Sequence, residues 1–247
     1  MEFKHISVLL NETIESLNIN PNGIYLDGTV GGAGHSREIA KRLTGGQLIC
    51  LDRDPDAVKV ATERLNGLPA RVVQSNYSQM DTVLKELNIP GVDGILLDLG
   101  VSSYQLDTAE RGFSYHKDAN LDMRMSQSGI SAEDLVNDFA ENELSDIFFR
   151  FGEEKYSRKI AAKIVKERKL QRITTTSQLA EIIANAVPAA ARRDGHPARK
   201  CFQAIRIAVN GELDHLNNAL DKAFDSLNKD GVLAIICIPF AALVIAT

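Results

Sequence analysis

Asp27-Gly28-Thr29-Val30-Gly31-Gly32-Ala33-Gly34-His35 is the stretch that decides the fold of this chain. This glycine turn follows the apolar run Ile24-Tyr25-Leu26 and precedes a helical pattern over residues 36–43. A strand, a glycine-rich turn and a helix in this order let backbone N–H groups approach a ligand, because glycine has no Cβ in the way. A tight connection without a ligand explains the same glycines, since such motifs also occur by chance. The sequence downstream decides between the two interpretations.

Strands and helices alternate through the segment that follows the glycine turn. Buried strands are predicted at 47–51, 70–74 and 94–99, and a fifth at 231–237. Asp54-Pro55 supplies an N-cap and a first-turn proline for the helix after the second strand. Near-continuous apolar strands that alternate with helices are typical of a parallel sheet covered on both faces. The sequence therefore predicts an α/β fold.

Two acids frame the predicted ligand site. Asp52 closes the second strand, where such folds hold an acid that accepts hydrogen bonds from a ribose diol. Asp27 stands just before the glycines, and the spacing of these glycines is not G-x-G-x-x-G. A carboxylate at this position can hold a methionine amino group, whereas it would repel a pyrophosphate. The pattern therefore favours S-adenosylmethionine and disfavours the alternative of a nicotinamide-dependent oxidoreductase. Tyr77 is a candidate to stack on adenine, although an aromatic at this edge also serves as packing.

Charge is distributed unevenly along the chain. The 247 residues carry a net charge of −5, yet residues 150–206 hold fourteen Lys or Arg against five Asp or Glu. A basic segment in an acidic protein indicates a polyanionic partner, and solvated helix faces explain the same charges. The three cysteines are scattered and form no C-x-x-C pair, which predicts no metal site and a cytoplasmic protein with reduced thiols. No apolar run reaches the length of a membrane span, so no membrane partner is expected.

The pattern changes after the fourth strand. Residues 100–125 are polar and rich in turns, and a loop of this length in a compact domain is usually functional or disordered. Residues 131–226 then read as helices without a strand pattern. We therefore predict a sheet domain formed by residues 1–106 and 210–247, with an inserted, mostly helical and basic subdomain at 107–209.

Four strings in the second half of the chain carry a family resemblance. They are Asp98-Leu99-Gly100-Val101-Ser102-Ser103, Glu110-Arg111-Gly112-Phe113-Ser114, Leu121-Asp122-Met123-Arg124-Met125, and His196-Pro197-Ala198-Arg199 through Phe202-Gln203-Ala204-Ile205-Arg206. With residues 5–12 and the glycine turn, they make residues 1–236 resemble the bacterial 16S rRNA cytosine-N4 methyltransferases, the RsmH/MraW family. The resemblance implies a class I, Rossmann-like fold that uses S-adenosylmethionine to methylate N4 of a cytidine in the decoding region. The implied partner is 16S rRNA or the small ribosomal subunit.

The resemblance also implies a set of cofactor contacts. By position they fall on Ala33, Gly34, His35, Asp52, Tyr77, Asp98 and Gln105. Family members often have glycine at position 33 and usually phenylalanine at position 77, and neither change should exclude the ligand. Four of these residues lie along the carboxyl edge of the predicted sheet, where such folds bind ligands: His35, Asp52, Tyr77 and Asp98.

The chemistry of the acceptor suggests catalytic candidates. The N4 of cytosine is a weak nucleophile because its lone pair is delocalised into the ring. The enzyme must therefore align this atom with the methyl sulfonium and accept its proton. Asp98, Ser102 and Ser103 are the candidates to orient the amine, with a purely cofactor-binding Asp98 and purely turn-forming serines as the alternative.

Other side chains are candidates to bind RNA. The target base must be exposed, and an aromatic such as Phe113 or Tyr115 could stack on it. Basic side chains of the insertion are predicted to hold phosphates, namely Arg192, Arg193, Arg199 and Arg206. His196 is either a base or the residue that closes a loop. The sequence leaves a homodimer open.

Residues 237–247 depart from the family pattern. The family continues here into Ser-Phe-His-Ser-Leu-Glu-Asp, a helix and two more strands, whereas this stretch is apolar and uncharged. A shifted reading frame or an early stop is the hypothesis, and it predicts a sheet that is incomplete at the C-terminal end. The alternative function is therefore a pseudo-enzyme that binds the cofactor or RNA without turnover.

Overall fold

The chain forms two compact units. The computed structural model describes residues 7–189, 195–237 and 242–246. Unit 1 comprises residues 1–104 and 213–247, and unit 2 comprises residues 105–212, inserted into the sequence of unit 1. The sequence places these boundaries at 106/107 and 209/210, and a separate RNA-binding role for the insertion stays a prediction.

Unit 1 contains a six-stranded sheet in the order β3-β2-β1-β4-β5-β6. Its strands are β1 Ile24–Asp27, β2 Gln47–Asp52, β3 Ala70–Gln74, β4 Val92–Leu99, β5 Leu227–Cys237 and β6 Ala242–Ala246. The first five are parallel, and Asp27 of β1 lies opposite Cys50 of β2 and Leu96 of β4. The strand order reverses between β1 and β4, and ligands of such sheets bind outside the carboxyl ends of the strands at this point. The predicted α/β, Rossmann-like fold is confirmed.

The apolar tail takes part in the sheet. The stretch that the sequence associates with an incomplete sheet contains β6, which pairs antiparallel with β5 from Cys237↔Ala242 to Leu233↔Ala246. Antiparallel pairing satisfies the backbone N–H and C=O groups along one edge of β5. The described part of the tail is therefore a strand of the sheet.

Eleven helices are present in the described ranges. They are α1 Leu10–Ser16, α2 Gly34–Ala40, α3 Pro55–Arg64, α4 Met80–Glu86, α5 Ser103–Asp107, α6 Ala132–Asp138, α7 Glu141–Gly152, α8 Ser157–Arg168, α9 Thr176–Ala186, α10 Ala198–Asn210 and α11 Glu212–Ser226. The predicted cap of α3 is confirmed, because the Asp54 carboxylate accepts a 3.1 Å hydrogen bond from the N–H of Asp56 and Pro55 opens the helix.

Two apolar layers cover the sheet of unit 1. Successive residues of a strand point to opposite faces, so Leu48 and Cys50 of β2 join one layer while Ile49 and Leu51 join the other. Helices α1, α2 and α3 contribute to the first layer, and α4 and α11 contribute to the second. The sheet is thus buried on both sides, and its carboxyl edge is the part that can meet a ligand.

Unit 2 is a helical unit with its own apolar core. Helices α6 to α10 pack against one another. Ser131 and Asp134 form a capping box at the start of α6, as expected for Ser-x-x-Asp ahead of an apolar run. The core of these helices includes the buried side chains Leu144, Phe148, Ile160, Ile164, Leu179, Ile183, Phe202 and Ile205.

Candidate functional site

The glycine turn is bonded to the strands on either side of it. The N–H groups of Gly28, Val30 and Gly31 each donate a 2.9 Å hydrogen bond, to Leu96 O, Leu51 O and Asp52 Oδ2 respectively. These three N–H groups are therefore used within the protein, whereas the sequence suggests that the turn offers such groups to a ligand. In this part of the turn, the glycines serve close packing.

Steric crowding explains the choice of glycine. A Cβ at Gly28 would lie 2.5 Å from Leu97 Cδ2 and 2.8 Å from Tyr77 Cβ, and one at Gly34 would overlap the Ser7 hydroxyl. Gly31 has φ +46°, a left-handed conformation that glycine adopts without strain. Ala33 shares that left-handed conformation, with φ +61°, in which an alanine is strained and a glycine would not be.

Asp27 is buried beneath the turn. Its side chain is 1% exposed, and its carboxylate accepts hydrogen bonds from the Thr29 N–H at 3.0 Å and the Ser36 hydroxyl at 2.5 Å. Burial raises the pKa of this carboxyl group, and the hydrogen bonds partly oppose that change. The expectation that Asp27 holds a methionine amino group is therefore corrected: its carboxylate braces the turn against the first turn of α2.

Asp52 holds the turn and remains partly accessible. It lies at the end of β2, where Oδ2 accepts from the N–H of Gly31 and Oδ1 from the N–H of Asp54, both at 2.9 Å. Burial raises its pKa to about 6, although both N–H bonds favour the ionised form. A carboxylate has about four acceptor positions, so Asp52 retains acceptor capacity while fixing the turn.

Asp98 and His35 meet above the end of β4. His35 Nδ1 lies 3.7 Å from Asp98 Oδ2, and its Nε2 donates to the Val8 carbonyl oxygen at 3.1 Å. The Asp98 N–H donates to the Thr29 hydroxyl at 2.6 Å, which fixes the end of β4 against the glycine turn. Thr29 is a residue that the sequence reasoning missed, because its partner is 69 positions away along the chain.

The other cofactor and catalytic candidates have different surroundings. Tyr77 begins the 3₁₀ turn Tyr77–Gln79 after β3 and packs against the α4 and α11 side of the sheet. Ser102 lies beside the glycine turn, since a Cβ at Gly31 would be 3.7 Å from its Cβ. Ser103 starts α5, and its side chain lies outside the described part of the structure. Gln105 belongs to unit 2 and is buried.

The motif loop, residues 108–131 of unit 2, is held by its own polar side chains. Arg111 donates to the carbonyl oxygens of Arg124 and Met125 at 2.9 and 3.1 Å. The guanidinium of Arg124 in turn binds both oxygens of Asp122, at 2.9 and 2.7 Å. Bidentate pairs of this kind fix geometry as well as adding energy. Several residues of the resemblance strings are therefore used to fold the loop.

Asn210 closes this network from α10. Its amide donates to the carbonyl oxygens of Met123 and Arg206 at 2.8 and 2.9 Å and accepts from the Met125 N–H at 2.8 Å. The side chain is 2% exposed. A buried amide with these bonds satisfies backbone groups that the irregular loop cannot pair by itself.

The RNA candidates differ in accessibility. Phe113 is 7% exposed, and the Arg111 guanidinium lies 5.8 Å from its ring. Tyr115 stacks on the exposed His196 with ring centroids 4.6 Å apart. Arg199 is exposed, whereas Arg206 binds Glu212 at 2.8 and 3.0 Å. Arg192 and Arg193 lie outside the described residues.

Among residues 7–189, 195–237 and 242–246, no group of three or more His, Cys, Asp or Glu side chains is arranged to hold a metal ion. Within the same ranges, none of the helices combines the length and apolar character needed to cross a bilayer.

Comparisons with known proteins agree with the motifs. A family model described as the MraW methylase family matches residues 2–243. The Ribosomal RNA small subunit methyltransferase H of Clostridium botulinum (strain Loch Maree) is 56% identical over 239 residues, 96% of this chain and 77% of that protein. The protein of the same name from Lachnospira eligens is 56% identical over 241 residues, 96% of this chain and 76% of that protein.

A solved structure overlaps part of the chain. Precorrin 8w decarboxylase from Methanobacterium thermoautotrophicum is 16% identical, with a TM-score of 0.32, over 45% of this chain and 60% of that one. The family is shown instead by the family model and the sequence relatives.

Proposed function

This chain belongs to the MraW methylase family and is a methyltransferase, and on that premise we propose that it methylates N4 of a cytidine in the decoding region of 16S rRNA. The proposed methyl donor is S-adenosylmethionine. The name of the relatives supports a small-subunit rRNA substrate, and the four resemblance strings support the cytosine N4. A protein that acts on the ribosomal subunit would work in the cytoplasm.

One observation carries the proposal of a cofactor site. The carboxyl ends of β3, β2, β1 and β4 are adjacent in the sheet, and they present Tyr77, Asp52, the glycine turn and Asp98 in that order. This edge includes the point between β1 and β4 where the strand order reverses, which is where doubly wound sheets bind nucleotides. The aromatic ring of Tyr77 matches adenine, and the Asp52 carboxylate matches the ribose. The compact turn and the Asp98 carboxylate match the amino acid part of S-adenosylmethionine.

The individual side chains fit that ligand chemically. We assign the remaining acceptor positions of Asp52 to the ribose hydroxyls and the ring of Tyr77 to adenine. S-adenosylmethionine supplies a methyl group made electrophilic by its sulfonium. Asp98 is 28% exposed at the end of β4, so its carboxylate is the accessible acid at the amino acid or methyl end of the site.

The same carboxylate is proposed to orient the acceptor. A hydrogen bond from the exocyclic amine to Asp98 would aim the N4 lone pair at the methyl group and give its proton an acceptor. Thr29 holds the Asp98 N–H at 2.6 Å, which fixes the backbone that carries this carboxylate. Ser102, beside the glycine turn, is the second candidate, and a role for Ser103 remains part of the proposal.

Unit 2 is the proposed RNA-binding part. Its basic stretch at 150–206 holds fourteen Lys or Arg against five Asp or Glu, and phosphate contacts dominate the affinity for nucleic acids. Arg199 is exposed and suits a phosphate contact directly. Arg206 would first have to leave Glu212, and Phe113 would need movement of the motif loop before it could stack on a base.

A methyl transfer assay tests the proposed function. The enzyme is incubated with S-adenosylmethionine and small ribosomal subunits that lack the modification, and N4-methylcytidine is measured by mass spectrometry of the digested rRNA. We expect one N4-methylcytidine per subunit, and Asp98→Asn should lower kcat by at least about 100-fold because it removes the acceptor of the proton.

The matched control is Asp225→Asn, which changes an exposed acid of α11 and should keep full activity. A methyl group on another nucleotide would contradict the proposed acceptor. Cofactor binding without transfer would instead support the pseudo-enzyme.

A further inference from the structure

Helix α11 contacts the proposed cofactor site through two polar side chains. Lys222 Nζ donates to the Ser78 carbonyl oxygen and to Asp81 Oδ1, both at 2.8 Å. His215 Nδ1 lies 3.2 Å from the Ser78 hydroxyl. Ser78 of the 3₁₀ turn Tyr77–Gln79 is buried, whereas Lys222 and Asp81 are 36% and 46% exposed, so the contact is buried at Ser78 and open to solvent at the lysine. Ser78, the middle residue of the turn that carries Tyr77, is therefore held from α11 at both its hydroxyl and its carbonyl oxygen.

The spacing on α11 makes this contact possible. His215, Ala219 and Lys222 follow one another at intervals of four and three residues, which places them on one face of the helix. Ala219 and Ala223 are fully buried on that face, and their small side chains let α11 approach the sheet closely. Burial and the charge of Arg53 lower the pKa of His215, which favours the neutral ring in its hydrogen bond with Ser78.

The other side of the 3₁₀ turn lies against the glycine turn. A methyl group at Gly28 would come within 2.8 Å of Tyr77 Cβ, so the base of the Tyr77 side chain packs against the backbone of Gly28. Asn76 caps the 3₁₀ turn by accepting a 2.9 Å bond from the Ser78 N–H. Tyr77 is thus held between the glycine turn on one side and α11 on the other.

We propose that His215 and Lys222 are positioning residues of the cofactor site, which hold the Tyr77–Gln79 turn so that the Tyr77 ring is fixed in place for adenine. The inference rests on the proposed function, because it takes Tyr77 as the adenine contact. Neither residue touches the cofactor in this proposal. They act through Ser78 on the backbone that carries Tyr77.

Calorimetric titration with S-adenosylmethionine and S-adenosylhomocysteine tests the proposal on the full chain. Lys222→Met removes both hydrogen bonds but keeps the apolar stem, and we expect it to raise the dissociation constant about three- to tenfold. Lys222→Arg should restore most of the affinity. Lys85→Met, an exposed lysine of α4, should leave it unchanged. At saturating cofactor, kcat of Lys222→Met should stay within about twofold of the unchanged enzyme, because the chemistry is not touched.

A double-mutant cycle separates positioning from general stability. If Lys222 acts through Tyr77, then Lys222→Met should have no further effect on cofactor affinity in a Tyr77→Ala background. Additive effects, or equal affinities of Lys222→Met and the unchanged protein, would overturn the inference. His215→Gln provides the same measurement should Lys222→Met fail to fold. Absence of cofactor binding by the unchanged protein would be a failure of the proposed function instead.

Discussion

The glycine turn and the motif loop are both dense in motif residues, but they differ in what their polar groups do. In the glycine turn, backbone N–H groups bond to β2, β4 and Asp52, so the turn is compact and Asp52 keeps acceptor capacity. In the motif loop, the side chains of Arg111 and Arg124 bond to the loop backbone and to Asp122, and Asn210 of α10 bonds to the loop backbone as well. One region uses its backbone to shape a site, and the other uses its side chains to become ordered. A motif residue can therefore belong to the fold of a loop as readily as to its chemistry.

The largest expected effect is on the glycine turn. Gly28→Ala places a methyl group against Leu97 Cδ2 and Tyr77 Cβ at 2.5 and 2.8 Å, and we expect a loss of about 3 kcal/mol in the free energy of unfolding because the core is overpacked. Affinity for S-adenosylmethionine should fall more than tenfold, which urea unfolding and calorimetry would measure. The control is Gly129→Ala, whose added methyl group would have no atom within 4 Å. Only the φ of +85° strains the alanine, so we expect a loss of about 1 kcal/mol in the free energy of unfolding. Equal losses would show that the turn is not crowded.

The next effect concerns the motif loop. Asn210→Ala removes a buried amide and leaves the Met125 N–H and the Met123 carbonyl without this partner. We expect a loss of about 2 kcal/mol in stability, a strong decrease in rRNA methylation, and cofactor affinity within about twofold of the unchanged protein. Asn217→Ala, at an exposed position of α11, is the matched control. A parallel loss of cofactor affinity would remove the distinction between the two regions.

A smaller effect is expected from the titration of Asp52, whose pKa burial raises to about 6. Its unfolded pKa is about 3.9, so the stability gained from the protonated carboxyl is lost as pH rises from about 4 through 6. Cofactor affinity should change in the opposite direction, because the ionised form accepts the ribose hydroxyls. Between pH 7 and pH 5 we expect the dissociation constant to rise about tenfold, since only the ionised fraction binds well.

Asp52→Asn is the control for this titration. The amide does not ionise, so the rise in the dissociation constant attributable to position 52 should disappear, at a cost in affinity at pH 7. Isothermal titrations at three pH values measure both effects. A pH profile that Asp52→Asn leaves unchanged would rule out Asp52 as the titrating group.

The smallest effect is expected at Ala33, which adopts the left-handed conformation that favours glycine. Glycine would relieve the left-handed strain at φ +61° by about 1 kcal/mol but lose a buried methyl group worth about 0.8 kcal/mol. Ala33→Gly should therefore change stability by less than about 0.5 kcal/mol and leave cofactor affinity unchanged. Ala61→Gly, in the right-handed interior of α3, has no such compensation and should cost about 1.5 kcal/mol in thermal or urea unfolding.

The sequence by itself determined the elements and the family of this protein. Apolar runs, the Asp54-Pro55 cap and the glycine turn predict the strands and helices of unit 1, because short-range sterics, capping and side-chain periodicity act within a few residues. The motif strings likewise identify the family, and with it the class of enzyme. These features are local or are read in order along the chain.

Only the tertiary structure decided what the polar side chains do. Asp27 and Asp52 both end a strand beside the glycine turn, yet one is enclosed by Thr29 and Ser36 while the other keeps acceptor capacity. The contacts of α11 with the Tyr77 turn join residues more than 130 positions apart. Whether a carboxylate, amide or amine serves a ligand or the fold depends on which distant groups surround it, and only the packing of the folded chain sets those neighbours.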